Sequence, residues 1–374
     1  MIYFDSAATT LRKPPEVARA VMRAMHESAN AGRGEGSSYA DSVLIDCRKE
    51  AAALFGASPE QVAFCFNATH ALNIAIGTLA RGARRCVISG YEHNAVRRPL
   101  LSLRDAGLET AVVRSPLFEP EFFLYELERE LERGADFAVI THVSNVFGFV
   151  LPIERADAMC AEHGVPLIID ASQSAGCISL DLSKLRAARF VAMPGHKGLY
   201  GPQGTGMLIC LGDAEPLMYG GTGQDSRSEG MPDYLPERLE AGTQNTHGIA
   251  GLTEGIRFVR SRTPEGILAH EQAILRRILR GLESCPLIKT YDAPHLFCQS
   301  GVLSMEVRGK ASEEVAEALA AQGIATRAGL HCAPLAHETA GTSERGTLRV
   351  SPSAFSTPRE ADIFCERIIR IARN

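Results

Sequence analysis

Short apolar segments alternate with amphipathic stretches along the first two thirds of the chain. The clearest apolar segments are residues 62–66, 86–89, 111–114, 137–143 and 167–169, which are rich in Val, Ile and Phe. This composition is typical of buried β-strands, and the stretches between them have helical periodicity. The alternation predicts βα units in a mostly parallel sheet with helices on both faces. Ligands are then expected at the carboxyl ends of the strands.

The pattern changes after about residue 257. It predicts a long helix over residues 264–284, strands over 302–307 and 347–350, and two further helices. Ser312 is placed to cap the helix that begins at Glu313, and Thr357 to cap a helix with a proline first and Glu360 third. We therefore expect a smaller α+β domain after a large α/β domain.

Composition excludes several classes of function. The 374 residues are 45% hydrophobic, enough for a full core, and the net charge of -5 offers no basic field for nucleic acid. No signal peptide or membrane-spanning run is visible, so a cytoplasmic protein is expected. Ten cysteines are present, but the closest pair, Cys285 and Cys298, is too widely spaced for a zinc motif. We predict no metal site and mostly reduced core cysteines.

A glycine-rich segment over residues 193–206 surrounds Lys197 with five glycines, directly after the apolar run 189–192. Such a backbone bends sharply or lets another group approach closely. It is not a nucleotide-binding P-loop, because Lys197 is not followed by Ser or Thr. A surface loop with a solvated lysine is the simpler interpretation of this segment taken alone.

Two upstream segments supply what a pyridoxal 5'-phosphate (PLP) cofactor requires. Asp170 follows the strand 167–169, where its carboxylate can pair with the pyridinium nitrogen and sustain the electron sink. Residues 67–70 open the helical stretch 71–79, and a helix N-terminus is a site for a phosphate. Ordinary turn or capping roles for Asp170, Asn67 and Thr69 remain open alternatives.

Together these motifs resemble the class V aminotransferase family of fold type I PLP enzymes, and most closely its group II cysteine desulfurases and selenocysteine lyases. The resemblance begins at 4–10 (FDSAATT), passes through 169–173 (IDASQ), 195–197 (GHK) and 200–206 (YGPQGTG), and ends at Arg349. It implies a mostly parallel seven-stranded sheet between helices and a smaller C-terminal α+β domain. The expected division is a large domain over residues 15–257 and a small one over 1–14 plus 258–374.

The resemblance also implies a set of cofactor contacts. Lys197 would carry PLP as a Schiff base, Asp170 would pair with the ring nitrogen, and His93 would stack on the ring. The remaining contacts would be Asn145 and Gln173 to the ring O3′, Ala68, Thr69 and His196 to the phosphate, and Thr243 to the phosphate from the partner subunit of a homodimer. A lone histidine such as His93 would otherwise be read as a core or capping residue.

Substrate chemistry is implied by the segments 327–334 (RAGLHCAP) and 347–351 (TLRVS). Cys332 resembles the cysteine that takes sulfur from the substrate, and we expect His331 and Arg327 to lower its thiol pKa. Arg349 resembles the residue that holds the amino-acid carboxylate through a bidentate fork, with help from Arg327 and Arg33. The simpler interpretations are a structural cysteine and surface ion pairs.

Three positions depart from the family pattern. Pro194 stands where the family usually has Ser or Thr before Gly-His-Lys, Gly36 where many relatives have His, and Ser356 where Asn is usual. These changes leave the precise substrate open.

We therefore predict a PLP-dependent cysteine desulfurase that converts L-cysteine to L-alanine and leaves a persulfide on Cys332 for an acceptor protein or small thiol. The alternatives are a selenocysteine lyase, another class V aminotransferase or β-lyase, and a non-catalytic binding module.

Overall fold

The computed structural model describes residues 1–27, 38–223 and 229–374. Its strands are β1 Ile2–Tyr3, β2 Val62–Cys65, β3 Arg85–Ser89, β4 Glu109–Val113, β5 Phe137–Thr141, β6 Leu167–Asp170, β7 Ala188–Pro194, β8 Gly206–Cys210, β9 Ile288–Tyr291, β10 Leu303–Val307, β11 Ile324–Ala325, β12 Arg327–Gly329 and β13 Thr347–Val350. Its helices are α1 Pro15–Glu27, α2 Ser38–Phe55, α3 Ala68–Leu79, α4 Asn94–Ser102, α5 Pro120–Glu132, α6 Ile153–Glu162, α7 Thr246–Arg262, α8 Pro264–Leu282, α9 Ser312–Ala320, α10 Pro334–Ala340 and α11 Pro358–Arg373.

Seven strands form the large sheet, in the order β2-β8-β7-β6-β5-β3-β4. Strands β7, β6, β5, β3 and β4 pair in parallel, whereas β8 runs antiparallel to both of its neighbours, β2 and β7. The predicted mostly parallel α/β sheet is therefore confirmed. Because β8 is antiparallel to both β2 and β7, those two strands run in the same direction. The carboxyl ends of six strands, all except β8, therefore lie at the same edge of the sheet.

Both faces of the large sheet are buried. In β5, Ala138 and Ile140 join the apolar core on one face, and Phe137 and Val139 join the core on the other. Successive side chains of a strand point to opposite faces, so a strand covered on both sides is apolar throughout, as the continuous run 137–143 predicts. The helices that provide these covers follow the strands in βα order.

The smaller sheet is antiparallel, in the order β12-β13-β10-β9, and has a separate apolar core that includes Phe4, Leu348 and Phe364. The N-terminal strand β1 pairs in parallel with β11, which ties the start of the chain to this region. The domain boundary expected at residue 257 stays a prediction, and α7 continues past it to Arg262.

One of the two predicted helix caps is confirmed. Thr357 caps α11, where its side chain accepts from the Glu360 N–H, and the Glu360 carboxylate accepts from the Thr357 N–H at 2.7 Å. The cap expected at Ser312 is wrong, because α9 already includes Ser312 and its N-cap is Ala311. The Ser312 hydroxyl instead donates to the Arg345 carbonyl oxygen and the Glu313 carboxylate.

All ten cysteines are free thiols, and nine are buried, which confirms the prediction of reduced core cysteines. Cys332 alone is exposed. Among the helices in the described ranges, none combines the length and apolar character needed to cross a bilayer.

Candidate active site

A cavity of about 190 Å³ lies at the carboxyl edge of the large sheet. Its walls come from the segments that follow β2, β3, β5, β6 and β7, so residues distant in sequence meet there. The predicted cofactor residues that line it are Ala68, Thr69, His93, Asn145, Asp170, Gln173, His196 and Lys197. The carboxyl-edge rule for parallel sheets thus gathers eight of the nine predicted cofactor contacts.

Lys197 lies in the loop that joins the antiparallel pair β7 and β8. The loop is closed by hydrogen bonds from the Gly195 N–H to the Thr205 carbonyl at 2.8 Å and from the Gly201 N–H to the Gly195 carbonyl at 2.7 Å. A Cβ at Gly198 would lie 2.3 Å from the Ala175 carbonyl oxygen, so only glycine allows this approach. The glycines therefore hold the lysine backbone against the segment that follows β6.

The environment of Lys197 favours the neutral amine over the charged ammonium form. Desolvation by burial lowers the pKa of Lys197 to about 8, with Arg349 and Arg327 lowering it further and Asp170 and Asp5 opposing them. An amine with a pKa near neutrality is a better nucleophile and base than a surface lysine. Lys197 lines the cavity and is not exposed, so the solvated-lysine interpretation is wrong. Of the three arginines predicted to bind substrate, Arg349 and Arg327 are the two whose charges lower the pKa of Lys197.

Asp170 ends β6 at the cavity and is only 2% exposed. Its Oδ1 accepts from the Ser172 N–H at 2.9 Å, which fixes the carboxylate at the strand end. A second buried carboxyl, Glu92, lies behind the cavity and accepts from the Thr141 N–H at 2.7 Å and the Ser89 hydroxyl at 2.5 Å. Burial raises the pKa of Glu92 to about 8, with Asp170 adding to the rise.

His93 is the N-cap of α4, where its Nδ1 accepts from the Ala95 N–H at 3.0 Å. The capping role and the cavity position therefore coexist in one side chain. Burial, assisted by the charge of Lys197, lowers the pKa of His93 to about 4, so the ring is neutral at pH 7. Because Nδ1 is an acceptor, the ring proton is on Nε2.

The other end of the cavity is formed by the N-terminus of α3. Asn67 caps this helix by accepting from the His70 N–H at 2.9 Å, which confirms capping without excluding an anion. The N–H groups of Ala68 and Thr69 belong to the first turn, which has no intrahelical acceptors. His196 lies beside them, with Nδ1 3.0 Å from the Thr9 hydroxyl, and Pro194 lines the same wall.

Cys332 lies on a turn between β12 and α10, where both His331 and Cys332 have left-handed backbone conformations, with φ of 50° and 56°. Such conformations strain residues other than glycine, by roughly 1 kcal/mol or more each. The Cys332 carbonyl accepts from the Asn94 N–H at 2.8 Å, and Asn94 directly follows His93. The cysteine is thus exposed but attached to the wall of the cavity.

His331, expected as a cationic or polar neighbour of Cys332, is a neutral ring. The His331 ring is buried, with Nε2 3.0 Å from the Thr347 carbonyl oxygen, and stacks on His337. Burial, with smaller effects from Arg349 and His337, lowers the pKa of His331 to about 2. The ring therefore anchors the turn as a neutral group.

Arg349 lies on β13 with only 2% of its surface exposed. Its Nη1 donates to the Asn145 carbonyl at 2.8 Å, and its Nη2 donates to Asp5 Oδ1 at 2.7 Å. Its Nε is buried without a hydrogen-bond partner in the described ranges, which leaves a donor for a ligand. Arg327 is exposed on β12 and is paired in register with Arg349.

Four predicted or discussed positions lie outside this cavity or outside the described residues. Arg33 and Gly36 fall outside the residues that the structure describes. Thr243 is exposed and does not line the cavity of its own chain. Ser356 is buried and accepts from the Ser353 N–H at 3.0 Å, so it shapes a local turn.

Sequence reasoning missed Asp5 and Glu92 as members of the site. Asp5 lies beside Phe4 in the FDSAATT motif, and Glu92 directly precedes His93. A charged residue beside a buried aromatic or a cavity histidine is a usable signal, because an ionisable group cannot be buried without a partner.

The site fits a PLP cofactor by its donor set. A lysine amine with lowered pKa can bond an aldehyde, a buried carboxylate can pair with a ring nitrogen, and a helix N-terminus can hold a phosphate. The family model described as aminotransferase class-V matches residues 2–364.

The chain belongs to the class V aminotransferase family.

Relatives within this family cover nearly the whole chain. A protein of Methanothermobacter thermautotrophicus named probable cysteine desulfurase is 31% identical, over 99% of this chain and 94% of its own length. A cysteine desulfurase of Escherichia coli O157:H7 is 30% identical, over 100% of this chain and 94% of its own. The apo structure of a cysteine desulfurase from Thermococcus onnurineus NA1 superposes with a TM-score of 0.93 at 30% identity, covering 100% and 94% of the two chains.

Proposed function

We propose that this class V aminotransferase family member is a PLP-dependent cysteine desulfurase, which converts L-cysteine to L-alanine and carries the sulfur as a persulfide on Cys332. The observation that carries the proposal is the position of Cys332. It is the exposed thiol among ten cysteines, and its turn is attached directly to the wall of the lysine cavity. An aminotransferase has no need for such a thiol.

PLP, when bound, supplies an electron sink that stabilises negative charge at the substrate Cα. Lys197 would hold the cofactor aldehyde through its amine, and the same amine would move the Cα proton as a general base and acid. Asp170 would pair with the ring nitrogen and keep it protonated, and the neutral His93 ring would stack on the cofactor ring. The lowered pKa of Lys197, about 8, makes the amine competent for both tasks at physiological pH.

Arg349 would bind the substrate carboxylate through its Nε and a second N–H of the guanidinium not used by Asn145 or Asp5, and Arg327 would add positive charge at the same place. Cys332 thiolate then attacks the substrate Sγ. A new S–S bond forms, the Cβ–S bond breaks with its electron pair left on carbon, and that carbon is protonated. The balanced products are L-alanine and a persulfide on Cys332, which an acceptor protein or small thiol removes.

The remaining cofactor contacts follow the same assignment. Ala68, Thr69 and His196 would hold the phosphate, while Asn145 and Gln173 would contact the ring O3′. Thr243 would reach the phosphate of the partner subunit in a homodimer. Exposed apolar side chains around that segment support a dimer face, since Phe66 is 52% and Tyr219 is 72% exposed.

The proposal has three further parts. Arg33 contributes to substrate binding. Residues 15–257 form the large domain, and the protein acts in the cytoplasm.

The test is the absorption spectrum of the purified protein with PLP, before and after L-cysteine is added, with alanine and sulfide measured together. Equal amounts of alanine and sulfide in the presence of a thiol support the proposal. Pyruvate or another keto acid instead of alanine would assign a β-lyase or aminotransferase. A strong preference for L-selenocysteine over L-cysteine would assign a selenocysteine lyase, and failure to bind PLP would leave a non-catalytic protein.

A further inference from the structure

Asn145 connects three parts of the site. It lines the cavity beside Asp170 and Lys197 and is 7% exposed. Its side-chain amide donates to the His331 carbonyl at 2.8 Å, and its backbone carbonyl accepts from Arg349 at 2.8 Å. The residue expected to face the cofactor therefore also holds the cysteine turn.

The cysteine turn depends on external contacts. His331 and Cys332 are both left-handed, so the turn is not the conformation that the free segment would prefer. Its two successive carbonyls are held from the large domain, one by the Asn145 side chain and the other by the Asn94 backbone. The Asn94 contact survives any side-chain change, whereas the Asn145 contact does not.

We propose that Asn145 is a positioning residue for Cys332, which couples the cofactor cavity to the sulfur-accepting thiol through one amide group. The inference rests on the proposed function and deepens it. The amide has two N–H groups, and one of them is given to the His331 carbonyl. The residue also lines the cavity, so the cavity wall and the cysteine turn share one side chain.

The alternative is that Asn145 serves the cofactor alone. In that case its loss changes Cα proton transfer and sulfur transfer equally, because both need the same cofactor geometry. A positioning role separates the two steps. Loss of the amide then lowers sulfur transfer more than proton transfer and loosens the turn even in protein without cofactor.

The chain offers a matched pair of variants. Asn145→Asp and Gln173→Glu each replace an amide by the isosteric carboxylate in the same cavity, but the Gln173 amide donates to the Ala7 carbonyl and not to the turn. Amide hydrogen exchange of residues 330–333 is measured on the full-length protein with and without PLP. The Ala333 N–H reports on the turn, since it donates to the Leu330 carbonyl at 2.9 Å.

We expect Asn145→Asp to raise exchange in this segment by about ten-fold, the effect of losing one buried hydrogen bond, and Gln173→Glu to leave it unchanged. Equal exchange in the two variants and the wild type would overturn the inference. Should Asn145→Asp not fold, Asn145→Ala carries the same expectation.

The second arm compares two rates in each variant: deuterium exchange at Cα of L-alanine in D₂O, which needs no thiol, and desulfuration of L-cysteine. We expect Asn145→Asp to lower the desulfuration kcat about ten-fold more than the Cα exchange rate, with little change in KM, whereas Gln173→Glu lowers both rates equally. Equal losses in Asn145→Asp would contradict a positioning role. Wild-type protein that exchanges Cα but releases no sulfur would instead contradict the proposed desulfurase function.

Discussion

The lysine loop and the cysteine turn are built for opposite purposes. The loop between β7 and β8 is packed between backbone segments, and burial displaces the charge of Lys197 and His93 toward neutral forms. The turn after β12 presents Cys332 to solvent in a strained conformation held by neighbouring residues. Acid and base groups work best in a fixed, dry place, whereas a thiol that must hand sulfur to an acceptor has to be reached.

The largest expected effect is the loss of Lys197. Lys197→Ala removes the covalent attachment of PLP and the group that moves the Cα proton, so the rate of alanine formation falls by about 10⁴-fold. The rate is measured with excess PLP present. Lys184→Ala is the matched control, because the Lys184 side chain is 71% exposed and pairs with Asp181 on the surface. An equal loss there would contradict a specific role for the loop.

Loss of the Cys332 thiol is expected to affect sulfur transfer but not proton transfer at Cα. Cys332→Ala lowers desulfuration on the order of 10³-fold, because the nucleophile is gone, but leaves Cα exchange of L-alanine within about two-fold. Buried Cys298, 7% exposed, provides the control variant Cys298→Ala, which keeps both rates. Desulfuration that survives in Cys332→Ala would show that sulfur leaves without this thiol, as in a selenocysteine lyase mechanism.

Arg349 is predicted to bind the substrate carboxylate, which both proton transfer and sulfur transfer require. Arg349→Lys keeps one positive charge but loses the planar fork and leaves Asp5 with a weaker partner, so KM for L-cysteine rises about 30-fold or more. Steady-state kinetics measure the change. Arg189→Lys, on the far end of β7, is the control. An unchanged KM in Arg349→Lys would show that this arginine does not bind the substrate carboxylate.

The smallest effect is a shift in pH dependence. Capture of PLP requires the neutral amine of Lys197, whose pKa is lowered from 10.5 to about 8. The rate of cofactor binding to PLP-free protein therefore rises with pH and levels off above about pH 8, as followed by absorbance. A rate that continues to rise to pH 10 would indicate an ordinary, solvated lysine.

Much of the cavity was predictable from the sequence, because one rule of parallel sheets brings the residues together. Asp170 and His93 each follow an apolar run, and the carboxyl ends of those runs meet at one edge. The antiparallel direction of β8 was not predictable from its apolar pattern. Every residue of β8 is buried, as in the parallel strands β5 and β6, so the order of apolar residues is the same for both directions. The cap at Ser312 failed because the hydroxyl bonds Arg345, which is distant in sequence.

Contacts of the residues around the cavity and the cysteine turn were also not predicted, because their partners are distant in sequence. Arg349 and Asp5 are 344 residues apart, and Asn145 and His331 are 186 apart. The neutral state of His331 depends on packing against Thr347 and His337, which no local pattern reveals. Sequence motifs thus predicted most of the residues that line the cavity, while the fold determined which residues share a hydrogen bond.

The most direct test of the account is to identify where the sulfur of L-cysteine goes. The PLP-loaded protein is mixed with L-cysteine in the absence of thiols, digested, and its cysteine peptides are analysed by mass spectrometry. The account predicts one added sulfur atom on Cys332, in an amount equal to the L-alanine formed in the first turnover. Alanine formed with free sulfide, or with the added sulfur on another cysteine, would contradict it.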